Sequence, residues 1–424
     1  MSKKKSKKLG EIGKVVMCKR VLKHQTSDKG DIPFYKISTF GQKPENYISR
    51  DLYKSFKKKY NHPKKGDVLI SAAGTVGKTV IYDGEPAYFQ DSNIVWIDND
   101  ETEITNGFLY YFYQTEPWLT TNGSTIKRIY NDDLRNIIIT FPSLKEQKKI
   151  AKVLSDLDAK IEVNNKINQE LEVLAKTIYD YWFVQFDFPY VTSSGVEKPY
   201  KSSGGKMVYN EELKREIPEG WEDGVLSDIA DITMGQSPSG SSYNEEGIGT
   251  VFYQGSTDFG SRFPTIRQYT SEPSRMAQEG DILLSVRAPV GTMNQAMEDC
   301  CIGRGLAALR EKEGSISYLW SQMVYFKQIF DRKNASGTTF GAITKNELFG
   351  LKVCIPKKEI LEKFKEKVDP FHDKIVNNSK ENQKLAALRD WLLPMLMNGQ
   401  VTVGEAKEQL GMVAEEGEKY KTNQ

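Results

Sequence analysis

A long internal repeat constrains this chain more than any other feature of its sequence. Residues 66–71, GDVLIS, return 214 residues later as residues 280–285, GDILLS. Further matches continue at the same offset as far as Pro142, which returns as Pro356. Because these matches are collinear, the sequence predicts a tandem duplication in which two copies share one architecture. The side chains between the shared positions differ widely, so we expect the two copies to contact different targets.

Each copy has the same internal order of elements. It begins with about 140 residues of short β-prone segments separated by Gly, Asn, Asp and Pro, and a charged stretch with helical period follows. We therefore expect an α+β fold, with two β-rich domains in tandem pseudo-twofold repeat, separated by two long antiparallel coiled-coil helices. The predicted boundaries are 1–142 and 221–356 for the β-rich domains, 143–186 and 357–398 for the long helices, 187–220 for a linker and 399–424 for a polar C-terminal tail.

The two charged stretches carry matching heptad seams, with a pair of asparagines at the centre of each. The seam positions are Ile150, Leu154, Leu157, Ile161, Asn164, Asn168 and Leu171 in the first copy, and Val368, Phe371, Ile375, Asn378, Asn382 and Leu385 in the second. Arg389 departs from the pattern. We expect the seams to pair, with the buried asparagines fixing their register; two separate amphipathic helices are the alternative. Pro370 should kink the second helix or delay its start.

The predicted helix length suggests a spacing function. About 35 residues at 1.5 Å each give a rod of roughly 50 Å. One turn of B-DNA is about 34 Å, so two unlike domains on such a rod could contact major-groove sites one to one and a half turns apart. The geometry favours a bipartite, asymmetric DNA target with an unread spacer.

Charge and cysteine content exclude several other classes. The 59 basic and 57 acidic side chains leave a net charge of only +2, so nucleic-acid binding would need local patches. The four cysteines and three histidines lack metal-site spacing, and no apolar run is long enough to span a membrane. We expect a cytoplasmic protein without a metal site. The N-terminal lysines should form a disordered tail: Lys3, Lys4, Lys5, Lys7 and Lys8.

Five segments carry a resemblance to a known family. They are residues 142–154 (PSLKEQKKIAKVL), 157–165 (LDAKIEVNN), 181–188 (YWFVQFDF), 217–221 (IPEGW) and 392–399 (LLPMLMNG). Together they cover both repeats, and the chain resembles the specificity (S) subunit of a type I restriction–modification enzyme.

The resemblance implies that each β-rich domain is a target-recognition domain reading one half of a bipartite DNA site. It also implies that the helix pair sets the spacer and docks two modification (methyltransferase) subunits, with restriction (translocase and nuclease) subunits joining them. The chain would contribute no catalysis, and S-adenosylmethionine, ATP and Mg²⁺ would be bound by its partners. The second proline-framed motif, residues 356–361, lacks the Glu-Gln pair of the first, so the two docking surfaces need not be equivalent.

We expect DNA contacts in polar loops of both domains, where arginine's bidentate fork suits guanine edges. Arg287 and Arg304 stand out because their counterparts, Ala73 and the region near Gln90, are uncharged. For any single residue, solvated surface is the alternative. The first-domain candidates are Lys36, Ser38, Thr39, Gln42, Lys78, Asn93, Lys127 and Arg128. The second-domain candidates are Gln254, Ser256, Thr257, Arg262, Arg287, Arg304, Thr338 and Thr339.

Two motifs resemble catalytic ones without meeting their requirements. Residues 72–79 fit a loosened phosphate loop, but a strand rather than a helix is predicted to follow, and the duplicate has no lysine. Residues 187–190, DFPY, resemble an amino-methyltransferase motif but follow no Gly-rich cofactor loop. These features disfavour a self-contained methyltransferase or nuclease. A protein-binding scaffold, with two β-domains on a helical spacer, is the remaining alternative to DNA recognition.

Overall fold

The computed structural model describes residues 4–118, 128–192, 194–312, 316–335 and 341–408. The chain divides into two compact units. Unit 1 comprises Met1–Ile161 and Gln383–Gln424, and unit 2 comprises Glu162–Asn382. None of the helices in the described ranges is long and apolar enough to cross a membrane.

The helices range from single turns to two long elements. In chain order they are α1 Leu9–Ile12, α2 Arg50–Lys59, α3 Asn106–Gln114, α4 Asn131–Asn136, α5 Leu144–Tyr179, α6 Leu226–Ile229, α7 Ile316–Ala335, α8 Lys345–Phe349, α9 Lys358–Asn398 and α10 at 403–408. The long helix α5 begins in unit 1 and ends in unit 2, whereas α9 begins in unit 2 and ends in unit 1.

Unit 1 is built on two small sheets. Its strands are β1 Lys5–Lys8, β2 Gly13–Met17, β3 Ile32–Tyr35, β4 Tyr47–Ile48, β5 Val68–Ser71, β6 Thr79–Ile81, β7 Tyr88–Phe89, β8 Ile94–Asn99 and β9 Ile138–Phe141. An antiparallel sheet has the order β2-β8-β5-β6, and a second sheet has the order β4-β3-β7, in which β3 and β7 are parallel. All of β5 is buried because its two faces enter different cores: Val68 and Ile70 pack with Phe108 of α3, and Leu69 packs with Trp96 and Tyr88.

Unit 2 repeats this plan. Its strands are β10 Pro189–Val191, β11 Glu197–Pro199, β12 Met207–Asn210, β13 Arg215–Pro218, β14 Glu222–Val225, β15 Ala230–Met234, β16 Tyr243–Asn244, β17 Thr250–Tyr253, β18 Tyr269–Thr270, β19 Met276–Ala277, β20 Ile282–Ser285, β21 Met293–Gln295, β22 Cys300–Ile302, β23 Leu306–Glu311 and β24 Lys352–Ile355. The sheet β15-β23-β20-β21 matches the four-stranded sheet of unit 1 strand for strand, and the other large sheet has the order β16-β18-β17-β22-β19. The expected α+β class, with tandem β-rich domains and paired long helices, is confirmed.

The second long helix starts earlier than its proline suggested. The helix α9 begins at Lys358 and continues through Pro370 to Asn398, so the predicted delay of its start is wrong. Proline removes one backbone donor from the helix interior. The apolar side chains on either side of it, Val368 and Ile375, are buried at 1% and 3% exposure and hold the helix to its neighbours.

Both ends of the described chain are more ordered than composition indicated. The residues Lys5–Lys8 form β1, which pairs antiparallel with β9, so the predicted disordered tail is wrong for these lysines; Lys3 lies outside the described residues. Near the other end, Val403 and Ala406 of α10 are buried in the core of unit 1, inside the predicted polar tail. The expected linker, 187–220, contains two β-hairpins, β10–β11 and β12–β13.

Candidate nucleic-acid interface

Four loops of unit 1 are joined by hydrogen bonds into one cluster. Loop cluster 1 consists of residues 36–42, 72–78, 90–93 and 128–130. Its backbone links run from the Ala72 N–H to the Asn93 carbonyl at 2.7 Å and from the Ile129 N–H to the Ala72 carbonyl at 2.8 Å. Gln90 accepts a 2.9 Å bond from the Ile37 N–H through its side-chain oxygen. The rigid sheets behind the cluster therefore hold four loops in a fixed arrangement.

Six of the predicted first-domain residues lie in loop cluster 1 with at least part of the side chain exposed: Lys36, Ser38, Gln42, Lys78, Asn93 and Arg128. Lys78 donates to the Phe40 carbonyl at 2.6 Å, which joins two of the loops. Thr39 is only 4% exposed and bonds to the backbone of Lys36, so its predicted role as a DNA contact is wrong in this structure. Lys127 lies outside the described residues.

Loop cluster 2 of unit 2 is assembled by the same bonds. It consists of residues 254–259, 286–292, 303–305 and 341–343. The Val286 N–H bonds to the Gly305 carbonyl and the Ile343 N–H to the Val286 carbonyl, both at 2.9 Å, as in the first cluster. The glycine repeated in the two clusters has a steric cause: Gly77 and Gly291 have φ of +86° and +85°, and an added Cβ would lie 2.3 Å from Trp118 and 2.9 Å from Phe330 respectively.

Five of the predicted second-domain residues lie in loop cluster 2: Gln254, Ser256, Thr257, Arg287 and Arg304. All are exposed except Ser256, which is half-buried. No carboxylate of a described residue lies within ion-pair distance of Arg287, Arg304 or, in the first cluster, Arg128. By contrast, Arg267 and Arg310 are paired with Asp258 and Asp281. Thr338 and Thr339 lie outside the described residues.

Arg262 was predicted to contact DNA, and this prediction is wrong. Its side chain is 2% exposed, its guanidinium lies 3.5 Å from the centre of the Trp320 ring, and it donates to Gln295 at 3.2 Å and to His372 at 2.7 Å. The loop turns inward because the backbone of Gly260 makes two 2.9 Å hydrogen bonds to the Asn294 side chain. Burial lowers the pKa of Arg262 to about 10. Burial and the positive charge of Arg262 together lower the pKa of His372 to about 3, so the imidazole is neutral at pH 7.

Asparagines join the long helices within unit 2. Asn164 of α5 donates to Asn382 of α9 at 2.9 Å, and Asn378 of α9 donates to Asn168 of α5 at 2.8 Å. From Asn164 to Asn168 the residue numbers increase along α5, while those of their partners on α9 decrease from 382 to 378. The helices are therefore antiparallel here. Other predicted seam residues are buried or half-buried in the same unit, namely Leu171, Val368, Phe371 and Ile375. Asn164 and Asn378 are each 1% exposed, so a register shift would leave buried amides without partners.

The rest of the seam lies in unit 1. Its buried or half-buried residues are Ile150, Leu154, Leu157 and Ile161 of α5 and Leu385 of α9, which belong to one core. Arg389, the position that departs from the seam, bonds to Asp158 at 2.9 Å, and Asp158 also accepts a 2.7 Å bond from the Tyr111 hydroxyl. We did not predict this cluster. An arginine in an otherwise apolar seam needs an acidic partner, and that signal was present in the sequence.

Of the Glu-Gln pair at the start of α5, Gln147 points into unit 1. Gln147 is fully buried, accepts a 2.9 Å bond from the Thr105 N–H and donates to the carbonyls of Glu103 and Pro142, each at 2.9 Å. Leu361 occupies the matching position of α9 and packs in an apolar cluster. The difference between the two copies therefore concerns how each helix is attached to its own domain.

The described residues hold no group of three or more His, Cys, Asp or Glu side chains arranged to bind a metal ion. The four cysteines are free and buried, and burial raises the pKa of Cys18 and Cys300 to about 12 and that of Cys354 to about 11. These three thiols are therefore protonated at neutral pH and are unreactive.

The structure therefore contains two β-rich domains that share one backbone plan and present different loop side chains. Residues 1–173 and 218–387 match the family model for the type I restriction modification DNA specificity domain. The chain belongs to this family, whose members supply DNA target recognition to type I restriction–modification complexes and perform no catalysis themselves.

Two relatives and one solved structure illustrate the match. A protein of Methanocaldococcus jannaschii, named for the type I restriction enzyme MjaX specificity subunit, is 31% identical over 80% of this chain and 79% of its own length. A Haemophilus influenzae protein, named for the specificity subunit S.HindORF215P, is 55% identical over 38% of this chain, which spans only 42% of that relative. The type I S subunit of M. genitalium has the same fold: its TM-score is 0.58 at 17% identity, covering 93% of this chain and 96% of that one.

Proposed function

We propose that this chain directs a type I restriction–modification complex to a bipartite, asymmetric DNA site. Loop cluster 1 contacts one half-site and loop cluster 2 contacts the other. The observation that carries the proposal is the pair of equivalent clusters, which share backbone hydrogen bonds but present different side chains. The guanidinium groups of Arg128, Arg287 and Arg304, which form no ion pair with a described residue, supply local positive charge on a chain whose net charge is only +2.

The helix pair sets the spacer and docks two modification subunits. Two features support the spacer role: α5 and α9 are continuous over 36 and 41 residues, and the asparagine contacts fix their register. A helix of 36 residues is about 54 Å long, which exceeds the roughly 34 Å of one B-DNA turn.

Chemistry would be supplied by the other subunits. S-adenosylmethionine would be bound by the modification subunits, and ATP and Mg²⁺ by the restriction subunits, with no cofactor held by this chain. The complex would act in the cytoplasm, where its DNA substrate is found.

A domain exchange tests the assignment of half-sites. Residues 1–142 are replaced by those of a relative, the chain is expressed with its modification subunits, and host DNA is sequenced for methylated motifs. One half of a divided motif should change while the other half and the spacer stay constant. A contiguous, undivided motif, or simultaneous change of both halves, would contradict the proposal.

A heptad deletion tests the spacer. Seven residues are removed from α5 and the seven that face them from α9, next to the asparagine contacts. The methylated motif should keep both half-sites and change its spacer, or methylation should stop while the complex still assembles. An unchanged motif with an unchanged spacer would show that the helices do not set the distance.

A further inference from the structure

An arginine and an alanine face each other in both loop clusters, but in opposite order. In loop cluster 1, an isolated antiparallel bridge joins Ala73 to Arg128. In loop cluster 2, the matching bridge joins Arg287 to Ala342. The repeat offset of 214 residues places Ala73 with Arg287 and Arg128 with Ala342. Each cluster therefore keeps one arginine at this bridge, but the arginine comes from a different one of the two bridged loops.

Backbone hydrogen bonds between the loops confirm that these positions correspond. Next to the bridge, Ala72 and Val286 each bond to both neighbouring loops through the same backbone groups. The Ala72 N–H bonds to the Asn93 carbonyl and the Val286 N–H bonds to the Gly305 carbonyl, so Asn93 and Gly305 occupy equivalent positions. The residues that precede them are therefore equivalent as well. They are Ser92 in one cluster and Arg304 in the other.

The local environment leaves these guanidinium groups available. Arg128 is half-buried, donates one N–H to the Ser92 carbonyl at 3.0 Å and lies 5.9 Å from the centre of the Tyr130 ring. These contacts orient the group, and among the described residues they use one of its five donors. Arg287 is exposed, and its carbonyl accepts a 2.7 Å bond from the Ser285 hydroxyl, which fixes the backbone.

We propose that this bridge is the guanine-reading position of each recognition domain, filled by Arg128 in one half-site and by Arg287 in the other. The proposal rests on the proposed function. Directly opposed residues of an antiparallel pair have Cβ atoms only about 4.5–5.5 Å apart. The long arginine side chain can therefore present its guanidinium to the same base edge from either side of the bridge. The alanine opposite it has no hydrogen-bonding group and cannot take over this contact.

The test moves the arginine across the bridge in the complex with the modification subunits. The methylated motif of the wild-type complex is determined first, and binding is then measured by competition with duplexes carrying single-base changes in each half-site. Arg128→Ala should weaken specific binding about 5- to 150-fold and remove the preference for guanine at one position of one half-site. The double variant Ala73→Arg/Arg128→Ala should recover most of the affinity and the preference at that same position.

The reverse pair tests the second domain. Arg287→Ala should affect one position of the other half-site, and Arg287→Ala/Ala342→Arg should recover it. The matched control is Arg50→Ala, which removes an exposed arginine of unit 1 that lies outside loop cluster 1; it should leave both preferences unchanged.

Three results would overturn the inference: no effect of Arg128→Ala, a uniform loss across all base changes, or failure of both transplanted arginines to recover binding. A uniform loss would indicate a phosphate contact. Each of these leaves the proposed function intact, because the wild-type complex still reads two half-sites. Failure of the proposed function would instead appear in the wild type, as binding without sequence preference.

Discussion

Each long helix is joined to its β-rich domain at a junction that contains an arginine, but the two junctions take this arginine from different elements. Asp158 and His372 lie 14 residues after the first residue of α5 and α9 respectively, and each binds an arginine. In unit 1 the arginine is Arg389, which belongs to the other long helix and forms an ion pair with side chains 32% and 34% exposed. In unit 2 it is Arg262, which belongs to the β-rich domain and is almost fully buried.

This difference shows that the duplication preserved a guanidinium at the junction without preserving its source. Ala175 of α5 matches Arg389 of α9 in the repeat, and its small side chain lines a cavity of about 320 Å³ beside Arg262. In unit 2 the recognition domain itself reaches the helix through a buried cation. In unit 1 the domain reaches the same helix position through the Tyr111 hydroxyl. We therefore expect unit 2 to depend more strongly on its junction arginine.

Removing the buried arginine should have the largest effect. Arg262→Ala deletes the group packed on Trp320 and leaves the acceptors on Gln295 and His372 without their donor, so unit 2 should lose about 2–4 kcal/mol of unfolding free energy. Urea unfolding of the full chain, followed by tryptophan fluorescence, measures the loss. Arg267→Ala is the matched control, because Arg267 is 63% exposed. Equal stability of the two variants would contradict the comparison.

The helix starts offer a second contrast, between buried Gln147 and its counterpart Leu361. Gln147→Leu gives the first junction the apolar residue of the second and should cost about 2–3 kcal/mol, because the Thr105 N–H and the carbonyls of Glu103 and Pro142 lose their partner. Urea unfolding again provides the readout, with exposed Gln383→Leu as control. If Gln147→Leu were as stable as wild type, the hydrogen bonds of Gln147 would contribute no net stability.

The neutral histidine makes the second junction sensitive to acid. Because the folded-state pKa of His372 is about 3, against 6.5 for an ordinary histidine, its contribution is complete above pH 6.5 and is lost as the pH falls toward 3. At pH 5 the loss should be about 2 kcal/mol. Glu172, which lines the same cavity, has a raised pKa through burial and acts in the opposite direction.

Comparing variants at several pH values isolates the histidine from Glu172. His372→Gln keeps an acceptor for Arg262 and should lose less stability than the wild type between pH 7 and pH 5. Exposed His24→Gln serves as the control and should follow the wild type. Parallel pH profiles for all three proteins would show that His372 does not titrate differently on unfolding.

The contrast between the junctions also marks the limit of sequence reasoning. The helix pairing was predictable because a heptad seam records a buried stripe along the chain itself, and its asparagines required partners of their own kind. The inward turn of Arg262 was not predictable, since it depends on Asn294, a residue 32 positions later on another strand. A Gly-Ser-Arg sequence is as compatible with an exposed loop as with a buried one.

In the loop clusters, too, some features were predictable from the sequence and others depended on contacts between distant residues. The repeat indicated which loops correspond, but the counterpart of Arg304 was placed only near Gln90, whereas the backbone hydrogen bonds between loops identify Ser92. The lysines of β1 likewise suggested a tail, because charge is visible in a sequence and pairing with a distant strand, β9, is not. Local composition therefore predicted the elements, and long-range hydrogen bonds decided which side chains are exposed.

The exposed junction should show the smallest effect. Arg389→Ala removes an ion pair whose members are each about one-third exposed, so the expected cost is at most about 1 kcal/mol and should shrink further in 1 M salt. A double-mutant cycle with Asp158→Asn measures the coupling, since this substitution retains an acceptor for Tyr111. A coupling energy larger than the entire cost of Arg262→Ala would reverse the ranking of the two junctions, and solvent exposure would then fail to explain their difference.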